Sequence, residues 1–169
     1  HTMTRLDAIE TPVLLLDEDR MQANIRRMQN RMDELGVAFR PHVKTSKCVE
    51  VARRQIDAGA RGITVSTLKE AEVFFAAGIE DILYAVAIAP SKFDHAMRLA
   101  RAGARLTLLV ESAQAAALLS QHGSAHGHLH ETLIEIDTDG HRSGVAPEAP
   151  GLLDVAQALR VADGAGAKL

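Results

Sequence analysis

The sequence predicts an α/β chain of repeated strand–helix units on a parallel sheet, and three observations carry that expectation. Short apolar runs recur at residues 13–16, 37–39, 62–65, 82–86, 106–110 and 133–136, most of them followed by a longer segment with apolar residues at three- and four-residue spacing. Gly36, Gly59, Gly78 and Gly103 fall just after four of these longer segments, where a left-handed C-cap is wanted. No two-residue hairpin signal joins one run to the next, so the strands are expected to be parallel, because parallel neighbours need a crossover and cannot close through a tight turn.

After the run 13–16, Asp17 is placed to cap a helix whose apolar stripe is Ile25, Met28, Met32 and Leu35. After 37–39 and the motif that follows it, Val49, Ala52 and Ile56 mark a second amphipathic helix. The run 62–65 leads into Thr67-Leu68-Lys69-Glu70, a capping-box spacing. The run 82–86 is followed by Ser91 as the expected cap of the next helix, and 106–110 by Ser112, which precedes an alanine-rich helix. Two architectures accommodate this rhythm: an open doubly wound sheet and part of a (β/α)8 barrel. No GxGxxG follows a strand, which weakens the dinucleotide-binding form of the open sheet. A barrel collects its functional groups at the carboxyl ends of strands, and His42 and Lys44, Ser66 and Thr67, Glu111 and Ser112, and residues 137–142 all fall there. A full barrel takes eight strands and roughly 250 residues. The sequence supplies about five βα units, so an incomplete barrel is expected, its open edges covered by another copy of the chain in a homo-oligomer or by further polypeptide.

Composition narrows the function classes. The chain has 169 residues, 47% hydrophobic and 24% charged, enough for one globular unit with a sizeable core. A net charge of -3 with no basic stripe argues against a nucleic-acid partner. Cys48 is the sole cysteine, so no internal disulfide forms, which fits a reducing compartment. No apolar run approaches the roughly 18 residues of a membrane span and no signal peptide is recognisable, so a cytoplasmic protein without membrane contact is expected. His1-Thr2-Met3 reads as residual vector sequence and residues 165–169 as a small-residue tail, and both are set aside from the fold. His122, His126, His128 and His130 lie in a Gly/Ser-containing stretch without an acidic or cysteine neighbour; they read as a flexible solvated loop, and no metal ligand is assigned.

Two constellations carry chemistry. Arg40-Pro41-His42-Val43-Lys44-Thr45-Ser46-Lys47 delivers a lysine to the junction of strand and helix. Its amine can condense with an aldehyde, provided burial and the positive charges of Arg40, His42 and Lys47 disfavour the ammonium form. Glu135-Ile136-Asp137-Thr138-Asp139-Gly140-His141-Arg142-Ser143-Gly144-Val145 is a strand end running into a glycine-bracketed turn that presents Arg142, a planar cation for a phenolate, carboxylate or phosphate oxygen. The two glycines are expected to let the backbone approach a ligand closely.

Together with Glu10-Thr11-Pro12-Val13-Leu14-Leu15-Leu16-Asp17 and Ile63-Thr64-Val65-Ser66-Thr67, these motifs, in this order, resemble the D-threonine aldolase and D-serine dehydratase group of fold-type III pyridoxal phosphate enzymes, relatives of alanine racemase. The resemblance implies that residues 4–164 are the N-terminal part of a cofactor-carrying (β/α)8 barrel, with the remaining strands and a C-terminal β domain outside this chain. It implies that Lys44 forms the Schiff base with pyridoxal 5'-phosphate and serves as acid and base, that Arg142 contacts the cofactor's phenolic oxygen, and that His42, on the same strand face as Lys44, also belongs to the cofactor site. The Pro-His-Val-Lys-Thr and Gly-His-Arg-Ser-Gly forms favour cleavage of D-threonine and related D-3-hydroxy amino acids to glycine and an aldehyde. The alternatives are a D-serine dehydratase, an amino-acid racemase, a non-catalytic pyridoxal-phosphate barrel protein or an interaction scaffold. A divalent metal is expected in the intact enzyme, with ligands outside this chain, and these residues alone are expected to have little or no activity.

Overall fold

The computed structural model describes residues 5–162 and 164–169. Helix α1 (Glu18–Glu34) and helix α2 (Val49–Asp57) precede strand β1 (Ile63–Val65). Then follow α3 (Leu68–Ala76), β2 (Asp81–Ala87), α4 (Phe93–Arg101), β3 (Arg105–Val110), α5 (Ala113–Ala125), β4 (Leu129–Ile134), α6 (Gly151–Ala158), β5 (Val161–Ala162) and β6 (Ala165–Lys168). The sheet order is β1-β2-β3-β4-β6-β5, parallel through β6, with β5 antiparallel at the edge.

That order decides between the two architectures. Strands β1 to β4 and β6 advance in one direction without reversal, and right-handed crossovers then place every connecting helix on the same face. A doubly wound sheet reverses its order and uses both faces. Burial agrees: β3 alternates, with Leu106, Leu108 and Val110 buried beneath the helices and Arg105, Thr107 and Leu109 less so on the other face. The core lies between the sheet and its helices, built from Ile63, Val65, Ile82 and Tyr84 of the strands and Phe74, Phe93, Leu119 and Val155 of the helices. Parallel strands are ordinarily covered on both sides. Here the other face exposes Leu133, as it would if it lined the interior of a barrel whose far wall is not in this chain.

Most local signals hold. Asp17 accepts the amide of Arg20 to cap α1, Thr67 and Glu70 form the full capping box of α3, and Ser112 caps α5. The four expected C-cap glycines all adopt positive φ.

Several expectations need correction. Residues 13–16 form no strand; the run lies exposed, Leu14 almost completely, and pairs with none of the described strands. Residues 37–39 are not a strand either. The chain joins the sheet slightly later, through Thr64 N–H to the Pro41 carbonyl and Val43 N–H to the Thr64 carbonyl, at 2.8 and 3.0 Å. Ser91 does not cap a helix: Pro90–Lys92 forms a 3-10 turn and α4 begins without a side-chain cap. The strand expected at 133–136 is centred earlier, and residues 165–168, set aside as a tail, form β6 and pair with β4. The expected loop of histidines is ordered structure: His122 lies in α5, His126 is its C-cap residue and His130 is a β4 residue only 3% exposed.

Candidate functional site

The carboxyl ends of the parallel strands bring the predicted residues to one edge of the sheet. Pro41 to Val43 add a short bonded segment beside β1, and the chain then turns through residues 43–46, with the Lys47 amide bonded to the Val43 carbonyl, before α2 begins. Lys44 sits on this turn, exposed, with no side-chain hydrogen-bond or ion-pair partner among the described residues.

His42 is half-buried below it. Its Nδ1 accepts the Lys44 amide at 3.3 Å, so the remaining proton sits on Nε2, which donates to Ser66 Oγ at 3.3 Å. With both ring nitrogens occupied, His42 fixes the turn that carries Lys44. Burial first, then the positive charge of Lys44, holds the His42 pKa below its ordinary value, against an opposite pull from Glu70. Glu70 was legible in the sequence only as a capping residue. Its carboxylate also accepts the Ser66 amide at 2.8 Å and lies 3.7 Å from Lys47 Nζ, which links the α3 cap to the lysine turn.

The charge environment expected around Lys44 is therefore different. Arg40 points to the other end of the sheet, where its guanidinium meets Asp81 at 2.5 Å, and Lys47 faces Glu70. Displacement along the chain explains the first: residues 40 and 42 share a face of the extended segment, but Arg40 lies toward the amino ends of β1 and β2, where it meets Ile63 and Asp81.

A testable consequence concerns His42. Its imidazole is expected to titrate below the ordinary value of about 6.5, in an NMR titration, moving up in Lys44→Ala and further down in Glu70→Gln. Below that ordinary value the unfolded chain binds the proton more readily than the folded one, so the stability His42 allows is present above pH ~6.5 and declines as the pH falls through it. A normal His42 titration, unmoved by either substitution, contradicts this.

Arg142 lies in the loop after β4, exposed and without a side-chain partner among the described residues. The loop closes on itself: Ile136 bridges Val145, Asp137 Oδ1 accepts the amides of Asp139 and Gly140, and Ser143 Oγ donates to Glu135 at 2.8 Å. Gly144 serves this closure. Gly144 has φ +114°, and a Cβ there would lie 2.7 Å from the Asp137 amide nitrogen and 2.9 Å from the Glu135 carbonyl, whereas Gly140 faces open space. Lys44 and Arg142 thus occupy the same edge of the sheet, separated by β1, β2 and β3. At strand spacings of about 4.8 Å they do not meet on a flat sheet, but they face each other across a closed eight-stranded barrel, at its first and fifth positions.

Spatial proximity also gives the histidines an acidic companion that sequence spacing hid. Asp94, at the start of α4, lies 2.9 Å from His122 Nε2, and His122 Nδ1 lies 3.1 Å from His130 Nε2. Burial, and then the neighbouring His128, His122 and His126, hold the His130 pKa down to about 3.

Comparison with known proteins follows the same lines. The family described as alanine racemase, N-terminal domain, matches residues 16–167. The D-threo-3-hydroxyaspartate dehydratase of Delftia sp. (strain HT23) is 57% identical over 152 residues, covering 89% of this chain and 40% of that protein. The D-threonine aldolase of Arthrobacter sp. is 39% identical over 145 residues, covering 85% of this chain and 38% of that protein. The solved structure of the Delftia dehydratase superposes with a TM-score of 0.91 at 55% identity, over 96% of this chain and 42% of that one. This chain therefore spans about two fifths of the length of these relatives. With the family match running through nearly all of its strands and helices, the chain belongs to the alanine racemase N-terminal domain family.

Proposed function

We propose that the protein is a pyridoxal-phosphate-dependent lyase of D-3-hydroxy amino acids, in which Lys44 is the amine that holds the cofactor's aldehyde. The observation that carries this reading is the placement of Lys44: an unpaired primary amine on a turn at the carboxyl ends of parallel strands, with its backbone fixed by His42.

The donor set fits that cofactor. A primary amine is the group that condenses with an aldehyde, and Arg142, at the same sheet edge, offers the permanent positive charge that suits a phenolate oxygen. When bound, pyridoxal phosphate supplies a sink for the electron pair left at the substrate's α-carbon. Lys44 Nζ takes and returns the proton there, being the exposed basic atom on the turn. His42 donates to Ser66 and accepts from the Lys44 amide, so it positions the turn and tunes it electrostatically rather than shuttling protons. The groups that hold the cofactor's phosphate, the remaining barrel strands, a C-terminal β domain and the ligands of an activating divalent metal are assigned to polypeptide outside this chain, and the cytoplasm is the proposed site of action.

Of the possible bond cleavages, loss of the 3-hydroxyl from D-threo-3-hydroxyaspartate is favoured by the 57% identity to a protein of that activity. Cleavage of D-threonine to glycine and acetaldehyde, favoured by the sequence motifs, is the second reading and is supported at 39% identity. Assaying the full-length protein with each substrate separates them: dehydration releases ammonia and a 2-oxo acid, whereas aldol cleavage releases glycine and an aldehyde. Absence of both, with pyridoxal phosphate and a divalent metal supplied, would sink the proposal.

Arg142 provides a second check. Arg142→Ala is expected to weaken cofactor retention at least about tenfold, and Arg142→Lys to recover only part of that, because lysine keeps the charge without the planar fork. Equal retention in wild type and Arg142→Ala would make the turn purely structural.

A further inference from the structure

The strongest unassigned constellation lies in the helical layer. Asp94 is in the first turn of α4, while His122 and His126 occupy the last turn and the C-cap of α5, four residues apart and so on one face of the helix. One ligand-capable atom from each of the three lies within 4.8 Å of the other two. Tetrahedral coordination at bond lengths of about 2.0–2.1 Å needs ligand atoms roughly 3.3 Å apart. Asp94 Oδ1 and His122 Nε2 are already 2.9 Å apart, and Asp94 is exposed enough for its side chain to adjust.

The partners behind the two imidazoles supply an independent argument. His126 Nδ1 lies 2.8 Å from the His122 carbonyl oxygen, which can only accept, so Nδ1 carries the proton and Nε2 keeps its lone pair. His122 Nδ1 faces Nε2 of the buried His130 at 3.1 Å, which leaves His122 Nε2 as its outward atom. Metal-bound histidines characteristically have the second nitrogen tied in this way, which fixes both tautomer and ring orientation. Phe93 meets the His122 ring edge-on at 5.4 Å and holds it from the side. The far side of the cluster opens to water through the exposed Asp94 and His126.

We propose that Asp94, His122 and His126 form a site for a divalent transition ion of the zinc class, which clips the start of α4 to the end of α5. Two imidazoles and one carboxylate suit Zn2+, Co2+, Ni2+ or Cu2+, whereas Mg2+ and Ca2+ prefer an all-oxygen set. The ion replaces the proton shared by His122 and Asp94, and water fills the fourth position. By joining residues 28 positions apart in sequence, it stabilises the outer layer behind β3 and β4.

The test is calorimetric titration of the chelator-stripped, full-length protein with Zn2+, comparing wild type with His126→Gln and Asp94→Asn. Both positions are exposed, and melting without metal checks that each variant is folded. Wild type is expected to take up one more equivalent per chain than His126→Gln, and Asp94→Asn to bind that equivalent at least about tenfold more weakly. Any metal site elsewhere in the protein is common to all three and cancels. Wild type is also expected to melt at a higher temperature with Zn2+, with the increment reduced in both variants, and Mg2+ is expected not to compete. Identical Zn2+ stoichiometry and affinity in wild type and His126→Gln would overturn the proposal, and equal competition by Mg2+ would overturn its assigned chemistry.

Discussion

Lys44→Ala is expected to leave the protein folded while removing both its turnover and its covalent hold on pyridoxal phosphate. The fold should tolerate the change: Lys44 is exposed, and its role in the turn is played by its backbone amide, which alanine retains. Surface substitutions of this kind cost within about 0.5 kcal/mol. The chemistry should not tolerate it, because alanine offers neither an amine for the aldehyde nor a group to move the proton. Loss of a positioned proton-transfer group alone lowers rates by about 10²–10⁴-fold, and the attachment is lost with it. Borohydride treatment followed by peptide mapping gives a readout that does not depend on activity: the wild type should carry the cofactor on Lys44 and Lys44→Ala should carry none. Transfer of the adduct to Lys47 would displace the assignment. Lys47 is the nearby alternative, yet it faces Glu70 at 3.7 Å and holds the chain at φ 45°, a position serving the turn.

The parts of the molecule legible in the sequence are those in which local pattern and tertiary environment agree. Strands β1 to β3 bury apolar side chains on alternate positions, and helices α1, α3 and α5 begin at Asp17, Thr67 and Ser112 and end at glycines, so periodicity and capping point to the same elements. Strand β4 was displaced in the sequence reading because two of its buried residues are polar. His130 and Thr132 occupy core positions, with Thr132 bonded to the His130 carbonyl and His130 to His122. A histidine at a core position interrupts the apolar alternation by which a strand is recognised. The run 13–16 fails in the opposite sense, since apolar character alone does not make a strand: the segment pairs with none of the described strands and lies exposed.

The site divides in the same way. Lys44, His42 and Arg142 stand in contiguous motifs at strand ends, so the sequence could nominate them. The bond from His42 to Ser66 and the ion pair of Glu70 with Lys47 span more than 20 residues, and only the parallel pairing of the Pro41–Val43 segment with β1 creates them. Asp94 gave no local signal at all. Its partner His122 is a full strand away, on the next helix of the layer.

Gly123→Ala is expected to be the most damaging of the small substitutions in the helical layer, and it tests the least legible element, β6. In isolation the change should help: alanine is favoured over glycine inside a helix by about 1 kcal/mol. Here the added methyl would lie 2.2 Å from the Gly166 carbonyl oxygen and 2.7 Å from the His128 carbonyl oxygen. Both are backbone atoms. No side chain can swing aside, so α5 must move off the sheet or β6 must leave β4, breaking the 2.8 Å bond from the Gly166 amide to His128. This close approach also explains why β6 reads as a tail of small residues: Ala165, Gly166 and Ala167 are buried where α5 leaves little room for larger side chains. Overpacking typically costs about 1–3 kcal/mol, and backbone against backbone lies at the upper end of that range. For a domain of this size each kcal/mol lowers the melting temperature by roughly 2–4 °C, so a fall of about 4–10 °C is expected. Ser124→Ala, one residue further along the same helix and exposed, is the control and should melt within about 2 °C of wild type. If Gly123→Ala melts at or above the wild-type temperature, the helix gain has gone unopposed, and α5 does not pack on β6 as closely as 2.2 Å requires.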